Sequence, residues 1–265
     1  STGKARPSEV ITGAPSSKAA TGRVNLIATG AGVAQLDVAK LTALNEVNPM
    51  ISLATVAPFH QMHPKGMLGT VKIIAYAVPE GDLVAACAHA AGALNLAPPL
   101  GCSVTLIITQ ISKGNDESKA IAVTQARLEA LDAALCETLI CAHTVPALSQ
   151  AIQAAKGDVV LILTASATSD PQDVAPAALI SAGGTLERFG MPVDPGNLLF
   201  LGALNQRPVI GLPGCARAPA LNGADKVLAR VLCGVPVSSA DIAAMGVGGL
   251  LKEIQTRPRP RNPKE

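Results

Sequence analysis

Apolar positions along this chain change rhythm several times. From Gly22 the stretch RVNLIA reads as a short strand, and Val38, Leu41 and Leu44 then fall at helical spacing up to the breaker formed by Asn48 and Pro49. ISLATVA and TVKIIAYAV read as two more strands, and the segment PFHQMHPKGMLG between them predicts a loop from its prolines and glycines. Pro79, Glu80 and Gly81 open a helix expected to run through Leu83, Val84, Cys87, Ala91 and Leu94. Residues 21–100 are therefore expected to form a small α+β domain.

After Pro98 and Pro99 the alternation becomes regular. SVTLIIT is a buried-type strand, SKGNDES breaks it, and Ile121, Thr124, Leu128, Leu131 and Leu135 mark one side of a helix. The strand ETLICA, the helix VPALSQAIQAA, the strand VVLILT and the helix DVAPAALISA follow, and Gly183 and Gly184 stop the last helix. Strand and helix in this order predict βαβ units, hence a three-layer α/β domain with a mostly parallel sheet. LLFLGAL and PVIGLP are separated only by Asn205, Gln206 and Arg207, too short for a crossover helix. They predict an antiparallel hairpin at or near a sheet edge. A helix with Val227, Leu228, Val231 and Leu232 completes a domain expected over residues 101–256.

Composition narrows the functional classes. Of the 265 residues, 49% are hydrophobic and 15% charged, which supports a substantial core. Aromatic residues make up only 2%, with no Trp, so base-stacking platforms and a nucleic-acid partner are not expected. The net charge is +2, and part of the basic excess lies in QTRPRPRNPKE, where prolines alternate with Arg257, Arg259 and Arg261. Residues 257–265 read as an extended tail or linker. The first 20 residues are polar and small and read as a disordered or expression-derived leader outside the core. No apolar run reaches membrane-spanning length and no export signal opens the chain, which gives the expectation of a cytoplasmic protein without a membrane partner. Six cysteines without a Cys-x-x-Cys pair are expected to be buried free thiols.

The candidate chemistry lies where strands end. Asp170 and Asp173 stand just beyond VVLILT, with Asp173 at the start of the next helix. Asp173 is placed to cap that helix. Ser166, Thr168 and Ser169 make a polar floor beside it, and helix N–H groups there could take an oxyanion or phosphate. Asp170 and Asp173 are also the candidates for a hydrated magnesium ion. In GLPGCARAP, Gly214 allows close backbone approach to a ligand and Arg217 would face a bound anion. A third loop, FGMPVDPGN, is punctuated by Gly190, Pro192, Pro195 and Gly196, and three such rims on one sheet would make a pocket. His143, at the end of ETLICA, would either contact phosphate or cap a loop. His60 and His63 have no further ligand nearby in sequence, and no Walker-type lysine loop or Gly-x-Ser-x-Gly elbow is present.

Residues 101–256 resemble the molybdopterin-binding domain shared by molybdopterin adenylyltransferases and molybdenum insertases. Ala165, Ser166, Ala167, Thr168 and Asp173 fill the positions of that family's Gly-Gly-Thr-Gly or Gly-Gly-x-Ser loop and following Asp. The family's Pro-Gly-Lys-Pro loop is met in part by Pro195 and Gly196, with Asn197 in place of the lysine. Its Leu-Pro-Gly-Asn turn is met by Leu212, Pro213 and Gly214, with Cys215 in place of the asparagine. A narrower resemblance, through TGRVNL, GTVKIIAYAV and MGVGGLLKEI, is to bacterial molybdopterin-binding proteins in which such a domain precedes a cytidylyltransferase-like domain.

The resemblance implies a pterin ligand, molybdopterin or molybdenum cofactor, bound by Ser166, Thr168, Ser169, Asp173, Pro195, Gly196, Pro213, Gly214, Cys215 and Arg217. It implies a cofactor-presenting protein, since Cys141, Ala142 and His143 stand where adenylyltransferase-like relatives carry an acid. The enzyme alternative is a magnesium-dependent nucleotidyltransferase or molybdate-insertion protein with Asp173 and Asp170 as catalytic groups, and a third is a non-catalytic scaffold whose pocket has decayed. A fused or separate nucleotidyltransferase domain and a homo-oligomer are the partners the resemblance implies.

Overall fold

A computed structural model of the protein describes residues 22–112, 114 and 116–251. The leader expected over residues 1–20 and the tail over residues 257–265 lie outside the described residues. The chain divides into two compact units, one ending at Pro99 and the other beginning at Leu100.

The first unit holds two three-stranded antiparallel sheets. One is built from β1 (Arg23–Ile27), β3 (Ile51–Thr55) and β5 (Met67–Ile73), in the order β1-β5-β3. The other is built from β2 (Gly32–Leu36), β4 (Gln61–Met62) and β6 (Leu94–Ala97), in the order β4-β2-β6. Two helices, α1 (Val38–Val47) and α2 (Glu80–Ala90), pack on each other. Leu26, Leu41, Leu44, Ile51, Leu53, Leu68 and Leu94 gather in the core. Asp37 caps α1 by accepting from the Lys40 amide at 3.0 Å.

Sequence spacing misplaces several elements here, among them the strand expected over residues 70–78, which runs over Met67–Ile73. The expected loop at residues 58–69 contains β4 and the start of β5, and β2 has no counterpart in the reading. The helix expected to reach Leu94 stops at Ala90. Gly92 turns the chain with φ +67°, and Leu94, although in phase with Cys87 and Ala91, is paired with Leu36 in β6. A single apolar residue at the end of a periodic run fits either period.

The second unit is a six-stranded mixed sheet with helices on its faces. In chain order it contains β7 (Ser103–Gln110), α3 (Ser118–Glu129), β8 (Ala134–Ala142), α4 (Val145–Ala154), β9 (Val159–Leu163), α5 (Val174–Ser181), β10 (Thr185–Phe189), β11 (Phe200–Leu204), β12 (Arg207–Leu212), α6 (Gly223–Leu232) and α7 (Ser239–Ala244). The strand order is β10-β11-β12-β9-β7-β8. β12, β9, β7 and β8 are parallel, while β11 runs against both its neighbours. The antiparallel hairpin is thus present near the edge, but the edge itself is β10, an additional strand beyond those the pattern predicts. The helix expected to include Leu131 and Leu135 ends at Glu129, and Leu135 belongs to β8.

Helix placement follows from strand order. A right-handed crossover from β7 to β8 and one from β8 back across to β9 must lie on opposite faces of the sheet, because they move in opposite directions. α4 and α5 pack together and bury Leu148, Ile152, Ala178 and Leu179 against Ile107, Ile162, Phe200 and Val209. α3 is linked instead to α6 by Arg127 and Asp225, 2.6 Å apart. All six cysteines are free, and only Cys233 is buried, while Cys136 is exposed. The expectation of buried thiols throughout is corrected, since outward-facing edge positions of β8 also carry small apolar residues.

Candidate functional site

The carboxyl ends of β7, β8, β9 and β12 lie on one rim of the sheet, as their parallel pairing requires. β10 runs the same way as β12 because both are antiparallel to β11, so the loop at residues 190–199 leaves from this rim too. β7 and β9 are neighbours whose following helices go to opposite faces. Their exit loops diverge, which opens a crevice at the point where open α/β sheets accept ligands.

The loop after β9 is built around Asp173. This residue sits at the N-cap position of α5, but its side chain makes no cap to the helix. Its Oδ2 turns back to accept the amides of Ser169 at 2.6 Å and Asp170 at 3.0 Å. Asp170 Oδ1 accepts the Gln172 amide at 2.7 Å. The capping expectation is corrected in its geometry, because Asp173 fastens the loop before the helix. Thr164 Oγ1 donates to the Ser166 carbonyl at 2.6 Å and lies 3.3 Å from the hydroxyl of buried Thr168. Ser166, Ser169 and Asp170 are exposed.

The other two loops contribute differently from the expectation. Pro195, Gly196 and Pro213 are buried. The Pro195 carbonyl accepts the Gly223 amide at 2.8 Å, and a Cβ on Gly196 would stand 2.4 Å from the Gly223 nitrogen. These residues join their loop to the start of α6, so the close approach that demands glycine at Gly196 is to protein backbone. Gly214 is exposed, and a Cβ there would meet nothing within 4 Å. Half-buried Cys215 and Arg217 follow it in a single 3-10 turn, Gly214–Arg217. Arg217 was expected to face an anion. Instead its guanidinium pairs with Glu117 at the start of α3 and donates to the Thr164 carbonyl at 3.3 Å. It thereby ties the ends of β9 and β12 to α3, with its charge matched by Glu117. Arg127 strengthens the same corner by donating to the carbonyls of Ala216 at 2.7 Å and Ala218 at 2.6 Å.

A connection that the sequence had not disclosed crosses the ends of β7, β8 and β9. His143 Nδ1 lies 2.8 Å from Thr109 Oγ1, and its Nε2 lies 2.9 Å from Ser166 Oγ. Thr109 is fully buried and also accepts the Ala165 amide at 2.9 Å. Thr109 carried one available signal, a hydroxyl following apolar Leu106, Ile107 and Ile108 near the carboxyl end of its strand. Neither Asp170 nor Asp173 has an ion-pair partner among the described residues. A separate cleft of about 360 Å³ lies at the opposite rim, bounded by Thr185, Pro208, Val231 and Val235, and uses none of these groups.

The fold and this crevice define a mixed α/β sheet protein with a polar, open rim at a strand crossover. No family model matches the chain, and no curated protein matches it. Among solved structures, it is similar to the molybdopterin biosynthesis MoeA protein from Pyrococcus horikosii, at 16% identity and a TM-score of 0.35. That match covers 82% of this chain and 68% of the other.

Proposed function

We propose that this chain binds molybdopterin or molybdenum cofactor during cofactor biosynthesis or maturation and presents it for transfer. The observation that carries the reading is the common rim: the three loops on which the resemblance rests, around Asp173, Pro195 and Pro213, all leave the sheet on the side of the crevice between β7 and β9. Exposed Ser166, Ser169, Asp170 and Gly214, with half-buried Asp173 and Cys215, are the groups of that set able to meet a ligand, while half-buried Arg217 is engaged by Glu117. Buried Pro195, Gly196 and Pro213 support the loops that hold them. Titration with anaerobically prepared molybdopterin, followed by calorimetry, tests the reading. Saturable binding is expected. Failure of the folded protein to bind, beside a relative that does, would leave a scaffold with a decayed pocket.

The second reading is a magnesium-dependent nucleotidyl transfer or molybdate insertion, and Asp170 and Asp173 on one loop favour it. Each keeps one carboxylate oxygen outside the loop's hydrogen bonds. Among the described residues no three of His, Cys, Asp and Glu gather as a metal-binding group. Two acids fit a hydrated magnesium ion, which is commonly held by one or two carboxylates together with substrate phosphates. Such an ion would neutralise charge on a bound phosphate. A mass assay for nucleotidyl-molybdopterin with ATP or CTP and magnesium separates turnover from retention, and product above the protein-free control would replace the carrier reading.

A further inference from the structure

We propose that Thr109 and His143 hold Ser166 as a directed hydrogen-bond donor to an uncharged carbonyl-type oxygen of the ligand, which in the reading above is the oxo group of the pterin ring. The identity of the ligand rests on that reading. The direction of the relay rests on the side chains alone.

Thr109 is fully buried, and one lone pair of its hydroxyl is occupied by the Ala165 amide. Its proton still needs an acceptor, since a buried donor left unmade is costly. The acceptor among the described residues is His143 Nδ1, at 2.8 Å. Nδ1 is therefore unprotonated, and the ring proton of the neutral imidazole sits on Nε2. Nε2–H donates to Ser166 Oγ at 2.9 Å. Ser166 accepts there, so its own proton, with no acceptor among the described residues, can point to a ligand. The opposite tautomer would leave the buried Thr109 proton without a partner. The Thr164 hydroxyl, donating to the Ser166 carbonyl at 2.6 Å, fixes the backbone that carries this donor.

The relay's direction counts against a nucleophilic Ser166, and the charges around it count against a phosphate. A nucleophilic serine needs a base to take its proton, and Nε2 already carries one. A phosphate at Ser166 would face the charge of Asp170 and Asp173 on the same loop, and Arg217 is already matched by Glu117. A neutral donor beside two carboxylates suits an uncharged acceptor better than an anion. The resemblance would put glycine at this position, so Ser166 supplies a contact that a glycine loop lacks and acts as a specificity-determining residue.

Two measurements test this. Long-range proton–nitrogen correlation spectra of the histidine rings, with His143 assigned through His143→Gln, read the tautomer. The expected result is an Nε2–H ring in the wild type that is lost or averaged in Thr109→Val and restored in Thr109→Ser. A wild-type ring protonated on Nδ1 overturns the relay, as does covalent labelling of Ser166 by a fluorophosphonate. The second measurement is titration with pterin itself, a phosphate-free ring, by fluorescence quenching. Binding is expected to weaken about tenfold in Ser166→Ala, the size of one hydrogen bond, and to survive excess inorganic phosphate. Equal binding by wild type and Ser166→Ala overturns the inference and leaves the pterin reading standing. Displacement by phosphate in the wild type but not in Ser166→Ala overturns the uncharged ligand. No pterin binding by either protein, with the expected tautomer present, overturns the ligand assignment and the parent reading together.

Discussion

At Asp173 one oxygen serves the loop while the charge is available to a ligand, and two substitutions separate these roles. Asp173→Asn keeps an oxygen that can accept from the Ser169 and Asp170 amides, whereas Asp173→Ala leaves both without it. Urea unfolding should show a loss of about 1–2 kcal/mol for Ala and little for Asn. If the carboxylate also serves the cofactor, Asn should weaken molybdopterin binding at nearly unchanged stability; wild-type binding by Asn would make Asp173 purely structural. The two loop glycines offer a second contrast. Gly196 has φ +133° and a Cβ there would lie 2.8 Å from the Gly223 Cα, in addition to its nitrogen contact, while Gly214 faces open space. Gly196→Ala should cost about 2 kcal/mol or more, and Gly214→Ala no more than about 0.5 kcal/mol. Similar unfolding midpoints for the two variants would contradict the packing role assigned to Gly196. In sequence both glycines sit beside proline in a turn, and nothing local tells a backbone-packing glycine from an exposed one.

The β11–β12 hairpin shows what short-range pattern can and cannot disclose. Two apolar runs around a short polar gap sufficed to anticipate an antiparallel pair, and Leu204 is indeed paired with Arg207 across Asn205 and Gln206. Both turn residues have positive φ, 52° and 67°, the combination of a tight type I′ turn. Asn accepts that conformation readily and Gln does not. Gln206→Gly should therefore raise the unfolding free energy by roughly 0.5–1 kcal/mol, and a lower midpoint in thermal melts would show that the Gln206 side chain contributes packing. The βαβ alternation was legible for the same reason, because VVLILT and SVTLIIT are buried on both sides and bounded by polar breakers. β10 was not. Its sequence TLERF is short, half-exposed and charged, and its strand conformation comes from pairing with β11 rather than from its own pattern. The candidate site divides similarly: strand ends and their polar loops can be read along the chain, but the contact of Thr109, His143 and Ser166 joins three strands and exists only once the sheet is assembled.

Across the larger unit, the two rims of the sheet have different electrostatic roles. At the amino rim, carboxylates are consumed by structure. Glu137 accepts the Lys156 amide at 2.6 Å and the Thr105 hydroxyl at 2.7 Å, which hold its carboxyl below its ordinary value. Asp158 is lowered by the Ser103 hydroxyl and amide, at 2.6 Å and 2.8 Å. Beyond the rims, Asp241 is lowered in the same way by Ser238, whose hydroxyl and amide it accepts at the start of α7. A carboxylate whose value is depressed in the folded state makes the unfolded chain take up protons first as pH falls. Its stabilisation is whole above the ordinary value, 4.5 for Glu137 and 3.8 for the two aspartates, and is lost as pH drops through the lower folded values. Urea midpoints should thus be lost mainly below about pH 4.5 with respect to these three groups. Glu137→Gln removes one titrating group while keeping an oxygen able to accept from Lys156 and Thr105, so its acid limb should be shallower than that of the wild type. An equally steep limb would mean that Glu137 contributes nothing to the acid transition, and that the amino rim is held by its neutral hydrogen bonds alone.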